Sequence, residues 1–216
     1  MIRTIFFDLD DTLYPKDSGV WQAMRARIGA YMQQVVGIPA AEAAQVREGY
    51  LKKYGTTLRG LQHDFAIDAD DYLRYVHDVP IESLIAPNPA LAAMLAALPQ
   101  EKFIFTNSVS FHAERVLAAL GVQAAFAGII DVRAMEFRSK PDPFAYQVAL
   151  ARGQVAAPAA LFVDDMPANL RPAHALGAQT ALLGTLAEPD PAVSVCIARP
   201  EQLIEAMPAL VEFAHE

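Results

Sequence analysis

Residues 3 to 15 read Arg3-Thr-Ile-Phe-Phe-Asp-Leu-Asp-Asp-Thr-Leu-Tyr-Pro15, and their interpretation decides the fold. The apolar run Thr4 to Phe7 predicts a short strand, and it stops at three carboxylates, Asp8, Asp10 and Asp11. Three like charges within four residues repel one another and resist burial. Taken alone, the cluster reads as a polar loop capping a strand. Three downstream features change that reading. A second strand-like run ends in Thr106-Asn107-Ser108, a lone Lys140 precedes Pro141, and the run Ala160 to Val163 ends in Asp164-Asp165.

Strands alternate with helices over much of the chain. From Asn88 the pattern predicts helices at Pro89 to Leu98, Phe111 to Leu120, Pro143 to Arg152, Ala168 to Leu176 and Glu201 to Phe213. It predicts strands at Lys102 to Phe105, Gly128 to Val132, Ala160 to Val163, Gln179 to Leu183 and Val193 to Ala198. This alternation predicts an α/β fold, a doubly wound Rossmann-like parallel sheet. The almost purely apolar strands agree, because central parallel strands are buried on both faces. In such sheets ligands sit outside the carboxyl ends of the strands. Asp8, Thr106 and Asp164-Asp165 all lie just past a predicted strand, so the fold would gather them.

Residues 18 to 77 have a different character. Val20, Trp21, Met24, Ile28, Tyr31, Met32 and Val35 fall at helical spacing, with Ser18 as the expected N-cap and Gly37 as the stop. Pro39 to Tyr54 reads as a second helix ended by Gly55, and 57 to 65 and 69 to 77 read as two shorter ones. The expected organisation is an α/β core of 1–16 and 81–216, with an all-helical lid of 17–80 inserted after the first strand. Hinges are expected at Pro15 to Ser18 and Ile81 to Pro87.

Composition narrows the function. With 54% hydrophobic and 19% charged residues, the chain fills a core rather than staying disordered. A net charge of −8 argues against a binder of nucleic-acid polymers, which needs a basic footprint. An anionic substrate would require a local positive field, most simply a bound divalent cation. The single cysteine, Cys196, excludes an internal disulfide and a cysteine-rich zinc site, and within its apolar run it reads as a small core residue. No apolar signal-peptide core precedes the first acids, and no run is long enough to span a membrane. The expectation is a cytoplasmic, soluble protein that uses no membrane partner.

The four strand-end features, in this order, resemble the haloacid dehalogenase-like phosphohydrolases. Asp8-Leu9-Asp10-Asp11-Thr12 is similar to that family's Asp-x-Asp-x-Thr loop, and Thr106, Lys140-Pro141 and Asp164-Asp165 match its other three motifs. The resemblance implies that Asp8 is a nucleophile forming an aspartyl-phosphate and that Asp10 is the general acid and then base. Thr106 and the backbone N–H of Asn107 would hold phosphoryl oxygens. Lys140 would supply a compact charge to the phosphate and to Asp8. Mg²⁺ is the implied cofactor, held by Asp8, the backbone carbonyl of Asp10, Asp165, and Asp164 directly or through water. An acid in the role of Asp10 is expected to have a raised pKa, from crowding by Asp8 and Asp11. Asp11 has no assigned role beyond shaping the loop. Asn169 is expected either to hydrogen-bond around the metal site or to start a helix.

The lid resembles the helical caps of the same superfamily. Its segment Tyr54-Gly55-Thr56-Thr57-Leu58-Arg59-Gly60-Leu61 resembles the pyrimidine 5′-nucleotidase branch, as do Tyr14-Pro15 and the run Val163 to Leu170. This implies a small phosphomonoester substrate, a nucleoside 5′-monophosphate with pyrimidine preferred. Arg59 and Tyr54 are the candidate specificity residues. Tyr54, Phe65 and Trp21 are candidates for stacking on a base, with lid core as the plainer assignment. Gly55 and Gly60 are expected to allow tight turns. His63 and His112 read as surface or packing residues. Alternative functions are a phosphatase of another small metabolite (a sugar or cofactor phosphate), a phosphomutase, and a non-catalytic phosphate-binding module. A dehalogenase fits less well, since it needs the nucleophile but neither a metal nor an acid two residues on.

Overall fold

The computed structural model describes residues 1–212. It divides into two compact units, one of Met1–Lys16 with Ile85–Glu216 and one of Asp17–Leu84. The first is built on six strands: β1 (Thr4–Phe7), β2 (Glu101–Phe105), β3 (Gly128–Ile130), β4 (Ala160–Asp164), β5 (Gln179–Leu183) and β6 (Val195–Ile197). All neighbouring pairs are parallel, in the order β3-β2-β1-β4-β5-β6. The sheet winds one way from β1 to β3 and the other way from β4 to β6. The reversal falls between β1 and β4, which is where such sheets open a ligand crevice.

The register fixes which residues meet there. Phe7 is level with Ile104 on one side and Val163 on the other. Asp8 follows directly, and its backbone N–H donates to the Val163 carbonyl at 2.8 Å. β1 and β4 are buried throughout, consistent with two covered faces. On one face Phe6 stacks on Phe162 (ring centroids 4.8 Å apart) and on Phe103 (5.8 Å). Gly153 makes room for this cluster, because a Cβ there would lie 2.7 Å from the Phe6 ring.

Helices complete this unit. In chain order after the helical unit they are Pro89–Ala97, Ser110–Leu120, Pro143–Arg152, Pro167–Ala175 and Leu203–Ala206. The last differs from expectation: in place of one helix from Glu201, a 3-10 turn (Pro200–Gln202), one short helix and a second 3-10 turn (Pro208–Leu210) follow one another. Pro208 has no N–H to continue the helix. The expected end at Phe213 lies outside the described residues. Cys196 is also not in the core. It is exposed, because β6 is an edge strand whose middle side chain faces away from the buried Ile197.

The second unit is entirely helical: α1 (Val20–Gln34), α2 (Ala40–Tyr54), α3 (Thr57–Phe65), α4 (Ala69–Val76) and α5 (Ile81–Leu84). The helices of the first unit are then α6 to α10. Gly19, not Ser18, is the residue at the start of α1; it has φ +91°, while Ser18 ends a 3-10 turn and its Oγ accepts from the Val20 N–H. Tyr31 packs edge-on against Tyr72 and Tyr75, joining α1 to α4. Gly55 takes the left-handed conformation that closes α2. Gly60 serves a different purpose from the expected turn. It lies inside α3, and a Cβ there would fall 2.1 Å from the Tyr50 ring, so its bare backbone lets α2 and α3 approach. Trp21 and Phe65 are exposed rather than core residues. Among the described residues no single helix is long and apolar enough to cross a membrane.

Candidate active site

Four segments of the α/β unit meet at the carboxyl ends of β1, β2 and β4. Asp8 follows β1, Thr106 follows β2, Asp164 ends β4, and Lys140 comes from the loop before α8. Lys140 is buried, and each of its three ammonium protons has an acceptor. Its Nζ donates to Asp8 Oδ1 at 2.8 Å, to Asp164 Oδ2 at 2.7 Å and to the Phe105 carbonyl at 2.8 Å. The Lys140 backbone is clamped in turn. Its N–H donates to Asn107 Oδ1 at 2.8 Å, and Asn107 Nδ2 donates to its carbonyl at 3.1 Å. The Asn107 side chain therefore positions Lys140.

The other oxygen of Asp8, Oδ2, accepts from the Thr12 hydroxyl at 2.8 Å. Thr106 is buried, and its Oγ1 accepts the Ser108 N–H at 3.0 Å, which leaves the hydroxyl proton to donate. Asn169 points at Asp164: Nδ2 donates to its two oxygens at 3.0 and 3.2 Å. Of its two expected roles, Asn169 fills the one around the acids. Asp165 Oδ2 pairs with Lys16 at 2.7 Å.

Burial pushes the Asp8 carboxyl up, to about 7, against the pull of Lys140 and with the help of Asp164. Burial works to lower the Lys140 ammonium, but Asp164 and Asp8 outweigh it and hold its pKa above the ordinary value. At 2.8 Å to Asp8 and 2.7 Å to Asp164, both Lys140 contacts fall in the range of charge-assisted hydrogen bonds. Asp165 is raised by burial, with Lys16 opposing.

Asp10 faces a different environment, opposite to the one expected. Its Oδ1 accepts from the Tyr14 hydroxyl at 2.6 Å and from His112 Nε2 at 2.7 Å, and its Oδ2 accepts from the Ser108 hydroxyl at 2.5 Å. Burial would raise this carboxyl. The charge of His112, with the hydrogen bonds from His112, Ser108 and Tyr14, more than reverses that and holds it well below the usual carboxylate range. Crowding by Asp8 and Asp11, the expected cause of a raised value, is the weaker influence. His112 is thus neither a surface nor a mere packing residue. It is fully buried on α7 and bonds a carboxylate 102 positions away.

Asp11 takes φ +61°, a left-handed conformation that aspartate tolerates better than most residues, and so turns the loop. Burial, then Asp165 and Asp10, push its carboxyl up to about 6.

Asp8, Asp164 and Asp165 each offer an oxygen, and these atoms all lie within 4.8 Å of one another. An all-oxygen, carboxylate-rich donor set suits a hard divalent cation such as Mg²⁺. The Asp10 carboxylate is not part of this group; the expectation for Asp10 concerned its backbone carbonyl. The proposed specificity residues belong to the helical unit. Arg59 is exposed on α3, and its backbone N–H donates to Thr56 Oγ1. Tyr54 is half-buried at the end of α2, its ring 5.1 Å from that of His63.

A family model described as haloacid dehalogenase-like hydrolase matches residues 2–177, from β1 through α9. The chain belongs to the haloacid dehalogenase-like hydrolases. One curated member-like relative is Phosphate metabolism protein 8 of Saccharomyces cerevisiae, 31% identical over 192 residues. That match takes in 81% of this chain but 59% of the yeast protein, so the chain spans less than two thirds of its relative's length. Two solved structures share the fold. A 2-haloacid dehalogenase from Pseudomonas syringae pv. tomato gives a TM-score of 0.63 at 22% identity, covering 97% of this chain and 99% of the other. A HAD phosphatase from Thermococcus onnurineus gives 0.64 at 15% identity, covering 94% and 97%. A dehalogenase and a phosphatase fit this haloacid dehalogenase-like fold about equally well, so the choice of chemistry rests on residues, not on the fold.

Proposed function

We propose that this chain is a Mg²⁺-dependent phosphomonoesterase that acts through an aspartyl-phosphate on Asp8. Nucleoside 5′-monophosphates, pyrimidine preferred, are the proposed substrates, and the cytoplasm is the proposed location. The observation that carries this reading is that oxygens of Asp8, Asp164 and Asp165 lie within 4.8 Å of one another, with buried Lys140 bonded to Asp8 and Asp164 and with Asp10 two residues from Asp8. Displacing a halide needs the first carboxylate only, because halide leaves without a proton and without a metal. A second carboxylate pair and an acid–base residue are needed when the electrophile is an anionic phosphate ester and the leaving group is an alkoxide.

In this mechanism Asp8 attacks phosphorus, the bond to the ester oxygen breaks, and Asp10 delivers a proton to the departing oxygen. Asp10 then withdraws a proton from water as that water attacks phosphorus. The Asp8–phosphorus bond breaks and inorganic phosphate is released. The donors around Asp10 favour its ionised form, the form needed for the second step, and oppose the proton it must carry in the first. The Thr106 hydroxyl and the Asn107 backbone N–H hold phosphoryl oxygens as charge shifts onto them. Lys140 acts on the phosphate mainly as a fixed charge, since its three protons already have acceptors. Mg²⁺ held by Asp8, Asp165, Asp164 and the Asp10 carbonyl would offset negative charge, so that a carboxylate can approach a phosphate dianion.

Arg59 and Tyr54, in the helical segment 17–80, are proposed to select the substrate. Arg59 carries a planar fork suited to a base carbonyl or a ribose, and Tyr54 an aromatic face. The test is phosphate release from UMP, CMP and a panel of sugar and cofactor phosphates, with 2-haloacids alongside. Pyrimidine nucleotides are expected to lead. Faster turnover of sugar phosphates would overturn the nucleotide assignment and keep the phosphatase, whereas halide release without phosphate release would overturn both.

A further inference from the structure

Among the described residues two histidines are buried, His77 and His112. His77 ends α4, and its Nδ1 bonds the Leu73 carbonyl one turn back at 2.8 Å, the local contact of a packing residue. His112 is equally buried but bonds the candidate acid–base residue from another part of the fold. The segment that carries it is rigidly anchored. The N–H and hydroxyl of Ser110, at the start of α7, both donate to Asp131 Oδ2, at 3.0 and 2.7 Å. Asp131 Oδ1 accepts the backbone N–H groups of Arg133 and Ala134, which ties α7 to the loop after β3. The Ser108 carbonyl accepts from the Val132 N–H, and its own N–H is held by Thr106.

We propose that His112 is the positioning residue of Asp10, and that Asp10 exchanges its proton through Oδ2. A carboxylate oxygen has two lone pairs directed to partners. Tyr14 and His112 occupy both on Oδ1, while Ser108 occupies one on Oδ2, so Oδ2 keeps the site for the proton passed to the leaving oxygen and taken from water. Tyr14 lies on the same loop as Asp10 and would move with it. His112 and Ser108 come from the segment after β2, which also carries Thr106. They lock the carboxyl to the strand end expected to hold the phosphate. The proposal rests on the reading of Asp10 as acid–base residue.

The test compares His112→Leu, which keeps the volume and loses the donor, with His112→Gln, which keeps an N–H at similar reach. Each is assayed on the best alkyl phosphate of the panel and on p-nitrophenyl phosphate, whose leaving group needs little protonation. General acid–base catalysis typically contributes about 10²–10⁴-fold. His112→Leu is therefore expected to lower kcat on the alkyl ester about 100-fold, with KM nearly unchanged. The loss in kcat/KM should be about tenfold smaller on the aryl ester, and Gln should restore most of the rate. A kcat within about twofold of wild type, an equal loss on both esters, or no rescue by Gln would overturn the proposal. If His112→Leu does not fold, Gln is compared with the shorter His112→Asn, and equal rates would overturn it. Crystal structures of wild type and variant separate this from the phosphatase reading. If the wild type releases phosphate from no ester, that reading fails, while an Asp10 carboxyl rotated in the variant still supports the positioning role and an unmoved one overturns it.

Discussion

The strand ends of the α/β unit and the surface of the helical unit handle polar groups in opposite ways. At the strand ends, Asp8, Thr106, Lys140 and Asp164 are buried and bonded to one another or to backbone. In the helical unit, Arg59 is exposed and its backbone N–H donates to Thr56 Oγ1, and Asp64 joins His63 and Tyr50 near the surface. A buried, interlocked set fixes geometry before any ligand arrives, as a chemical step requires. An exposed side chain on a helix is free to reorganise around a substrate. On the proposed reading, the chemistry belongs to one unit and the choice of substrate to the other, so each can be broken separately.

Asp8→Asn should break the first most severely. Turnover is expected to fall on the order of 10⁴-fold or more, as when a nucleophile is removed from a catalytic set. The near-isosteric amide should leave the thermal unfolding curve within a few degrees of wild type. Metal removal comes next. EDTA should abolish phosphate release from every ester alike, and excess Mg²⁺ should restore it; retention of activity in EDTA would sink the metal assignment.

Gly60→Ala sharpens the contrast from the other side. The added methyl meets the Tyr50 ring, so α2 and α3 must separate, with a stability loss of about 1–3 kcal/mol in denaturant unfolding. Arg59→Ala is expected to have the smallest effect. It should raise KM for nucleotides about tenfold, roughly 1.4 kcal/mol of binding, and affect p-nitrophenyl phosphate less. A uniform loss on all esters would place Arg59 in the general machinery instead.

Much of this division was legible in the sequence, for identifiable reasons. A parallel strand reads as a short apolar run, and a polar residue just after it marks the ligand side of the sheet. That made Asp8, Thr106 and Asp164-Asp165 visible as a set, and the family motifs added Lys140. The helical unit was visible from its period, with α3 matching at both ends. His112 was not, because on α7 it falls in step with Ala113, Val116 and Leu120 and looks like part of an apolar face. Its partner is in another segment, and pairing at long range has no local signature. One available clue was its place in the first turn of the helix that follows Thr106-Asn107-Ser108. The direction of the Asp10 shift was lost with it, since counting neighbouring acids in sequence misses donors brought by the fold. The close approach at Gly60 was hidden for the same reason.

The proposed mechanism requires Asp8 to carry the phosphoryl group during turnover. Rapid acid quench of the wild type with Mg²⁺ and its best substrate, followed by peptide mapping, tests it directly. A phosphoryl adduct is expected on the peptide containing Asp8, absent from Asp8→Asn. Steady phosphate release with no adduct, or undiminished release by Asp8→Asn, would contradict it.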